Sequence, residues 1–254
     1  MLNIDLNCDM GEGFSSDEDL MPLISSVNIA CGYHAGDAYI MEKTVTAALN
    51  FGVSIGAHPS FRDREHFGRI NQLLPPEQVY ELVAHQLNVL GNICSRLGTS
   101  MAHLKPHGAL YNMAAADTQM ASAICRAALD FDPDLIIYGL SGSRLPETAR
   151  EMGLTACSEA FADRTYQEDG SLTPRWHENA LLEDPDDCAS QVLQMVTNRS
   201  VLAVTGLPVP IEAQSICIHG DNPHALEFAR RIREVLLKAE IGIRPPLQNR
   251  SRFF

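Results

Sequence analysis

The feature that most constrains this chain is its rhythm. Short apolar runs of strand length alternate with longer segments of helical spacing. The runs fall at 2–7, 26–30, 53–57, 100–104, 135–140, 154–158, 201–205 and 215–218. The helical segments lie near 38–50, 76–97, 118–130, 143–152, 186–198 and 223–239. Strand–helix repetition of this kind demands a mainly parallel sheet, either open or closed into a barrel. The segment 76–97 is the clearest helix. Val79, Val83, Leu87, Leu90, Cys94 and Leu97 recur on one face, and Pro75-Pro76-Glu77 supplies the proline-then-acid opening of a first turn. The last helix is expected to begin at Asn222-Pro223, a cap followed by proline.

No linker, charge block or repeat divides the 254 residues, so a single domain over 1–247 with a tail at 248–254 is expected. Arg250 and Arg252 in that tail read as solvated. Acids outnumber Lys and Arg by 32 to 19, a formal charge of -13. This balance excludes a nucleic-acid binder that tracks phosphates, and it excludes docking on an anionic membrane. No apolar stretch is long enough to span a bilayer. The opening residues carry no signal-like block, and the seven cysteines form no C-x-x-C pair. Reduced thiols in a cytoplasmic protein are the expectation.

The polar residues of unusual type gather at the C-terminal ends of the runs, where α/β folds place their sites. The first cluster spans Asp5 to Phe14. Alternation puts Asp5, Asn7 and Asp9 on one strand face and Ile4 and Leu6 on the other; Glu12 follows among glycines. The second cluster, Asn28 to Asp37, offers His34 as ligand or acid/base group. Asp37 reads equally well as a site residue or as the cap of the next helix. The third places His58 one residue past a small-residue strand end. It leads into an irregular loop, 61–72, in which Arg62, Arg64 and Arg69 are expected to be solvated. In the fourth, Pro106 argues against a helix through His103 and His107. On a strand, His103, Lys105 and His107 share a face. The chain has only three lysines, and Lys105 alone sits at a strand end. Weaker clusters run from Glu159 to Arg164 and from Cys217 to Asn222, the latter with His219 and Asp221 on one face. The cysteines near strand ends read as packing residues.

Several chemistries are missing from the sequence. There is no G-x-x-x-x-G-K-[ST] phosphate loop, no G-x-G-x-x-G fingerprint, no G-x-S-x-G elbow and no structural zinc spacing. What remains is a ring of Asp, His and Lys drawn from several strands. It suits proton transfer and hydrolysis at a polarised carbonyl, with or without a divalent metal.

The strings DLNCDMGEGF, NIACGYHAGD, GAHPSFRDREHFGR, HLKPHGALYN, SEAFADRTYQEDGSLTPR and CIHGDNP resemble, in order, the motifs of the LamB/YcsF family, the PxpA type of 5-oxoprolinase component. The resemblance covers residues 2 to about 247. It implies a seven-stranded β/α barrel related to polysaccharide deacetylase and glycoside hydrolase barrels. It also implies a part in the ATP-dependent opening of 5-oxo-L-proline to L-glutamate, with hydrolysis to ADP and phosphate. PxpB- and PxpC-type subunits would be partners and would handle the nucleotide; self-association stays open. In this reading Asp9, His34, Lys105 and His107 are catalytic. Asn7, Glu12, Asp37, His58, Arg164 and His219 bind substrate. Lys105 neutralises a substrate carboxylate or phosphoryl oxygen, and Arg164 does the same from the opposite rim. By position, Asp9, His58 and His107 could form the metal set of the deacetylase barrels, while a metal-free site fits equally. Two alternatives remain: a metal-dependent amide deacetylase working alone, and a component that binds substrate without catalysing.

Overall fold

Alternation along β1 (Asn3–Met10) settles the architecture. Ile4, Leu6, Cys8 and Met10 join the hydrophobic core, while Asp5, Asn7 and Asp9 are buried on the opposite face. Both edges of β1 find parallel partners, β2 (Ser26–Ala30) on one side and β9 (Ser215–Ile218) on the other. From β2 the pairing runs through β3 (Ser54–His58), β4 (His103–Leu104), β5 (Ile136–Leu140) and β6 (Thr155–Phe161), and returns to β9. The result is a closed parallel barrel of seven strands, as the resemblance implied. The computed structural model describes residues 2–248; most of the expected tail, with Arg250 and Arg252, lies outside the described residues.

The run expected at 201–205 does not enter the barrel. It forms β7 (Ser200–Leu202), which pairs antiparallel with β8 (Pro208–Pro210). Barrel strands are buried on both faces, but here Val201 and Ala203 are covered while Leu202 and Val204 are 52% and 38% exposed. A run covered on one side suits an outer hairpin, and the two prolines confine its partner to an edge. A short β10 (Gly242–Ile243) pairs with the start of β1.

All six expected helices form. They are α2 (Ala38–Phe51), α3 (Pro76–Arg96), α5 (Thr118–Phe131), α6 (Arg144–Glu151), α7 (Pro185–Asn198) and α8 (Ala225–Lys238). Two further short helices, α1 (Asp17–Leu20) and α4 (Gly108–Ala114), lack a long enough period to be seen in sequence. Helix α8 starts later than expected, because Asn222 Oδ1 accepts from the His224 amide at 2.9 Å and closes a turn first. On α3 the buried face includes Gln86, whose amide group brackets Ser60: Oε1 accepts from the Ser60 amide at 3.0 Å and Nε2 donates to its carbonyl at 2.9 Å. That pair pins the chain where it leaves β3. No helix among the described residues is long and apolar enough to cross a membrane, and all seven cysteines are free and buried.

Candidate active site

The barrel interior is filled with polar groups, most of which pair with one another. Asp5 accepts from Ser25, Ser26, Ser215 and Tyr138 at 2.5 to 2.9 Å. One layer higher, strand pairing sets Asp9 beside Asn28, Asn28 beside Gly56, and Gly56 beside His103. A Cβ on Gly56 would overlap the His103 ring, so glycine there makes room for the imidazole. His103 Nε2 donates to Asn28 Oδ1 at 2.7 Å, and Asn28 Nδ2 donates to Asp9 Oδ1 at 2.8 Å and Asn7 Oδ1 at 2.7 Å. Such pairing offsets the cost of burying polar groups, with His103 Nδ1 the one ring nitrogen of this layer left without a partner among the described residues.

Lys105 stands at the centre of this network. Its ammonium meets Asp9 Oδ1 at 3.0 Å, Glu159 Oε1 at 2.8 Å, Asn7 Oδ1 at 3.1 Å and Cys217 Sγ at 3.0 Å. An ammonium has three protons, and all of them are taken by protein acceptors. Lys105 thus holds Asp9 and Glu159 in place, and it also lines the cavity at the barrel mouth. Burial would raise the Asp9 carboxyl, but His58 and Lys105 beside it prevail and hold it well below the usual range.

Above Asp9, three imidazoles and one carboxylate converge. His58 Nδ1 lies 2.8 Å from the Lys105 carbonyl, and His107 Nε2 lies 2.9 Å from the Phe67 carbonyl. A carbonyl can only accept, so both of those nitrogens carry their protons. The remaining nitrogens, His58 Nε2 and His107 Nδ1, face each other at 2.9 Å. Glu12 Oε1 is 3.4 Å from His107 Nδ1, 3.8 Å from His58 Nε2 and 3.0 Å from His34 Nε2, and Asp9 Oδ2 is 3.4 Å from His58 Nε2. Burial first, then His58, keeps His107 far below the ordinary histidine value, and burial lowers His34 likewise. Burial and the Asp9 charge push Glu12 well above the usual carboxylate range. His58 Nε2 and His107 Nδ1, the ring nitrogens not bonded to carbonyls, thus meet beside two carboxylates. This donor set fits a divalent cation with nitrogen and oxygen ligands.

Loop 61–72 takes part in the site. Phe67 adopts φ 56°, unusual for a bulky residue, and so turns its carbonyl to His107. Gly68 follows at φ 65°; a Cβ there would meet Ser60 Oγ and the His107 ring. The Gly68 carbonyl accepts from the Ala109 amide at 2.9 Å, and Arg69 pairs with Asp221 at 2.5 Å. Arg64 donates to the carbonyls of Gly32 and Gly36. Arg64 and Arg69 are exposed, as expected of a solvated face, and these contacts tether their guanidinium ends. Arg62 is exposed as expected, and its guanidinium lies over the Tyr33 ring.

The mouth of the barrel opens into a cavity of about 980 Å³. Its lining includes Asp9, Glu12, His58, His107, Phe161, Arg164 and His219, and ligand atoms of Asp9 and His219 come within 4.8 Å of each other. His219 Nδ1 donates to Asp163 Oδ1 at 2.8 Å, and its ring stacks on Phe161. Of the residues singled out in the sequence, Asn7 supports Lys105 from below and His34 stands behind Glu12. Asp37 does not line the main cavity. It is exposed and caps α2 through a 2.9 Å bond from the Ile40 amide to its Oδ1. Sequence reasoning assigns no role to Asn28, Glu159 or Asp163. Each is a polar residue inside an otherwise apolar strand or at its end, a signal shared with ordinary turns.

Taken together, a closed parallel β/α barrel with acids and imidazoles gathered at its C-terminal mouth defines a barrel protein equipped for acid–base or cation-assisted chemistry. The chain belongs to the LamB/YcsF family, whose profile matches residues 4–251. It is 50% identical over 249 residues to the 5-oxoprolinase A-subunit of Tolumonas auensis, covering 96% of this chain and 99% of that protein. It superposes on the lactam utilization protein of Thermus thermophilus with a TM-score of 0.91 at 39% identity, covering 96% of this chain and 99% of the other. A deacetylase solved with substrate shares the fold at a TM-score of 0.51 and 13% identity, over 95% of this chain and 87% of the other.

Proposed function

We propose that this chain is the lactam-opening component of a cytoplasmic, ATP-dependent 5-oxoprolinase that works with PxpB- and PxpC-type subunits. The observation that carries the reading is the convergence of Asp9, Glu12, His58 and His107 in one cavity, in a chain half identical to a 5-oxoprolinase A-subunit. In the reaction, a water oxygen bonds to the lactam carbonyl carbon, the ring C–N bond breaks, and the nitrogen takes a proton to give L-glutamate. Amide resonance makes the lactam a poor electrophile. Phosphorylation of its oxygen by ATP makes it a better acceptor, with ADP and phosphate as the other products. The nucleotide is assigned to the partner subunits, since this sequence has no phosphate loop.

The roles follow from the hydrogen bonds. Asp9, held ionised by Lys105 and Asn28, accepts a proton from water at its Oδ2 side, next to His58. His219 has its Nδ1 committed to Asp163, which orients the ring and leaves Nε2 for proton transfer to the leaving nitrogen. His58 Nε2, His107 Nδ1 and Glu12 Oε1 would hold a divalent cation, which when bound polarises the carbonyl or acidifies water. His34 braces Glu12 at 3.0 Å.

The test is glutamate release from 5-oxoproline and ATP. Turnover is expected with the partner subunits present and not with this chain alone. A reconstituted complex that turns over equally well without this chain overturns the reading. A second reading, an amide deacetylase working alone, is favoured by the three-imidazole donor set; it predicts acetate release from N-acetyl substrates without ATP.

A further inference from the structure

Arg164 is 6% exposed, yet it has no ion pair among the described residues. Its Nη2 donates to the Thr173 carbonyl at 2.6 Å and its Nε reaches the Ala180 carbonyl at 3.4 Å. Neutral carbonyls orient the guanidinium without discharging it. The neighbouring acid, Asp163, has its oxygens engaged by His219 at 2.8 Å and Asn222 at 3.4 Å. Burial, with Arg175 adding repulsion, draws the Arg164 guanidinium down to about 10. A buried cation without its own anion is costly unless another partner arrives. Nη1 makes no hydrogen bond among the described residues, and Arg164 lines the same cavity as Asp9, Glu12 and His107.

Arg164 therefore presents an unneutralised guanidinium to the cavity that Asp9, Glu12, His58 and His107 also line, with Arg175 on the same lining. A guanidinium fork is suited to a planar carboxylate. We infer that Arg164 is the anchor for the substrate's carboxylate, so that this chain selects lactams bearing a carboxylate over neutral lactams. The inference rests on the lactam-opening reading and adds a specificity determinant to it. With the carboxylate held at Arg164, the ring carbonyl of a small lactam is left to the acids and imidazoles that line the same cavity. Lys105 cannot serve as the anchor, because its protons are spent on Asp9, Glu159, Asn7 and Cys217.

Calorimetric titration of the full chain with 5-oxoproline, its neutral carboxamide and inorganic phosphate tests this, using the wild type, Arg164→Gln and Arg164→Lys. The wild type is expected to bind the carboxylate more tightly than the carboxamide by about 10- to 100-fold, the range of a charge-assisted hydrogen bond. Arg164→Gln is expected to erase that preference while leaving carboxamide binding within about twofold, less than the contribution of one neutral hydrogen bond. Arg164→Lys, which keeps the charge but not the fork, should retain part of the preference; it decides the matter if Arg164→Gln does not fold. Equal wild-type affinity for the two lactams overturns the anchor and leaves lactam opening standing. Equal loss of both lactams in the variants reduces Arg164 to a clamp on Thr173 and Ala180. Loss of phosphate binding alone makes it a phosphoryl site instead. A wild type that binds neither lactam removes the functional reading, and the anchor with it.

Discussion

His58 Nε2 and His107 Nδ1 meet at 2.9 Å, and the other nitrogen of each ring is committed to a backbone carbonyl. Two neutral imidazoles cannot hold that arrangement by themselves, because lone pair faces lone pair. Either one proton is shared between them or a cation lies beside both. Glu12 and Asp9, the nearest carboxylates, suit both solutions, and cation titration separates the two.

Titrating chelator-treated protein with Zn²⁺ or Mn²⁺ should raise its thermal midpoint. A ligand at a hundredfold excess over its dissociation constant adds about 2.7 kcal/mol to the folded state. The increment should vanish in His58→Ala and shrink in Glu12→Gln. A midpoint insensitive to either metal would leave the shared proton as the explanation.

Lys105→Met should cost about 3–5 kcal/mol in chemical denaturation, the penalty for leaving a buried ion without its partner. Here two carboxylates, Asp9 and Glu159, lose their cation together. A change below about 1 kcal/mol, well under that penalty, would show that the network tolerates the loss.

Asp9→Asn, which removes an acid–base group, should reduce glutamate release by the reconstituted complex at least about 100-fold, and His107→Ala, which removes a cation-holding nitrogen, should lower it as well. Circular dichroism and partner binding should be retained. Full turnover in both variants would leave this chain a binding role only.

Asp163 offers a pH test. Burial would raise its carboxyl, but His219 and Asn222 prevail and hold it below the ordinary 3.8. A carboxyl lowered on folding stabilises the fold above its unfolded value and loses that contribution as pH falls through the folded value. Asp163→Asn should therefore be less stable near neutrality by about 2 kcal/mol, typical of a hydrogen bond to a charged group. The gap should close below pH 3.8. Parallel stability curves across that range would contradict the assignment.

Much of the fold is legible in the sequence. Period-two alternation in 2–7 and the helical spacing of 76–97 each point to one element, so β1 and α3 can be placed from sequence. The run at 201–205 misleads because hydrophobicity alone cannot distinguish a strand covered on both faces from one covered on one; exposed Leu202 and Val204 decide it. Among site residues, Asp9, His58 and His107 stand out by chemical type at strand ends. Lys105 stands out as well, but a sequence shows that a lysine is present and not which acceptors surround it. Asn28 and Glu159 matter through partners on other strands, as in the 2.9 Å bond from Asn7 Nδ2 to Glu159 Oε1 across 152 positions. For Asp37 the sequence permits two readings, and local backbone geometry selects the cap.

The closure of the barrel between its first and last strands has a bearing on how the chain is made. Asn7 donates to Ser215 and Asp5 accepts from it, across 208 and 210 positions. During synthesis on the ribosome, β1 emerges first and must wait for β9 before these groups can be satisfied. Contacts so distant along the chain slow folding. A stop codon before residue 215 removes both β9 and α8 and yields a product with no closed interior.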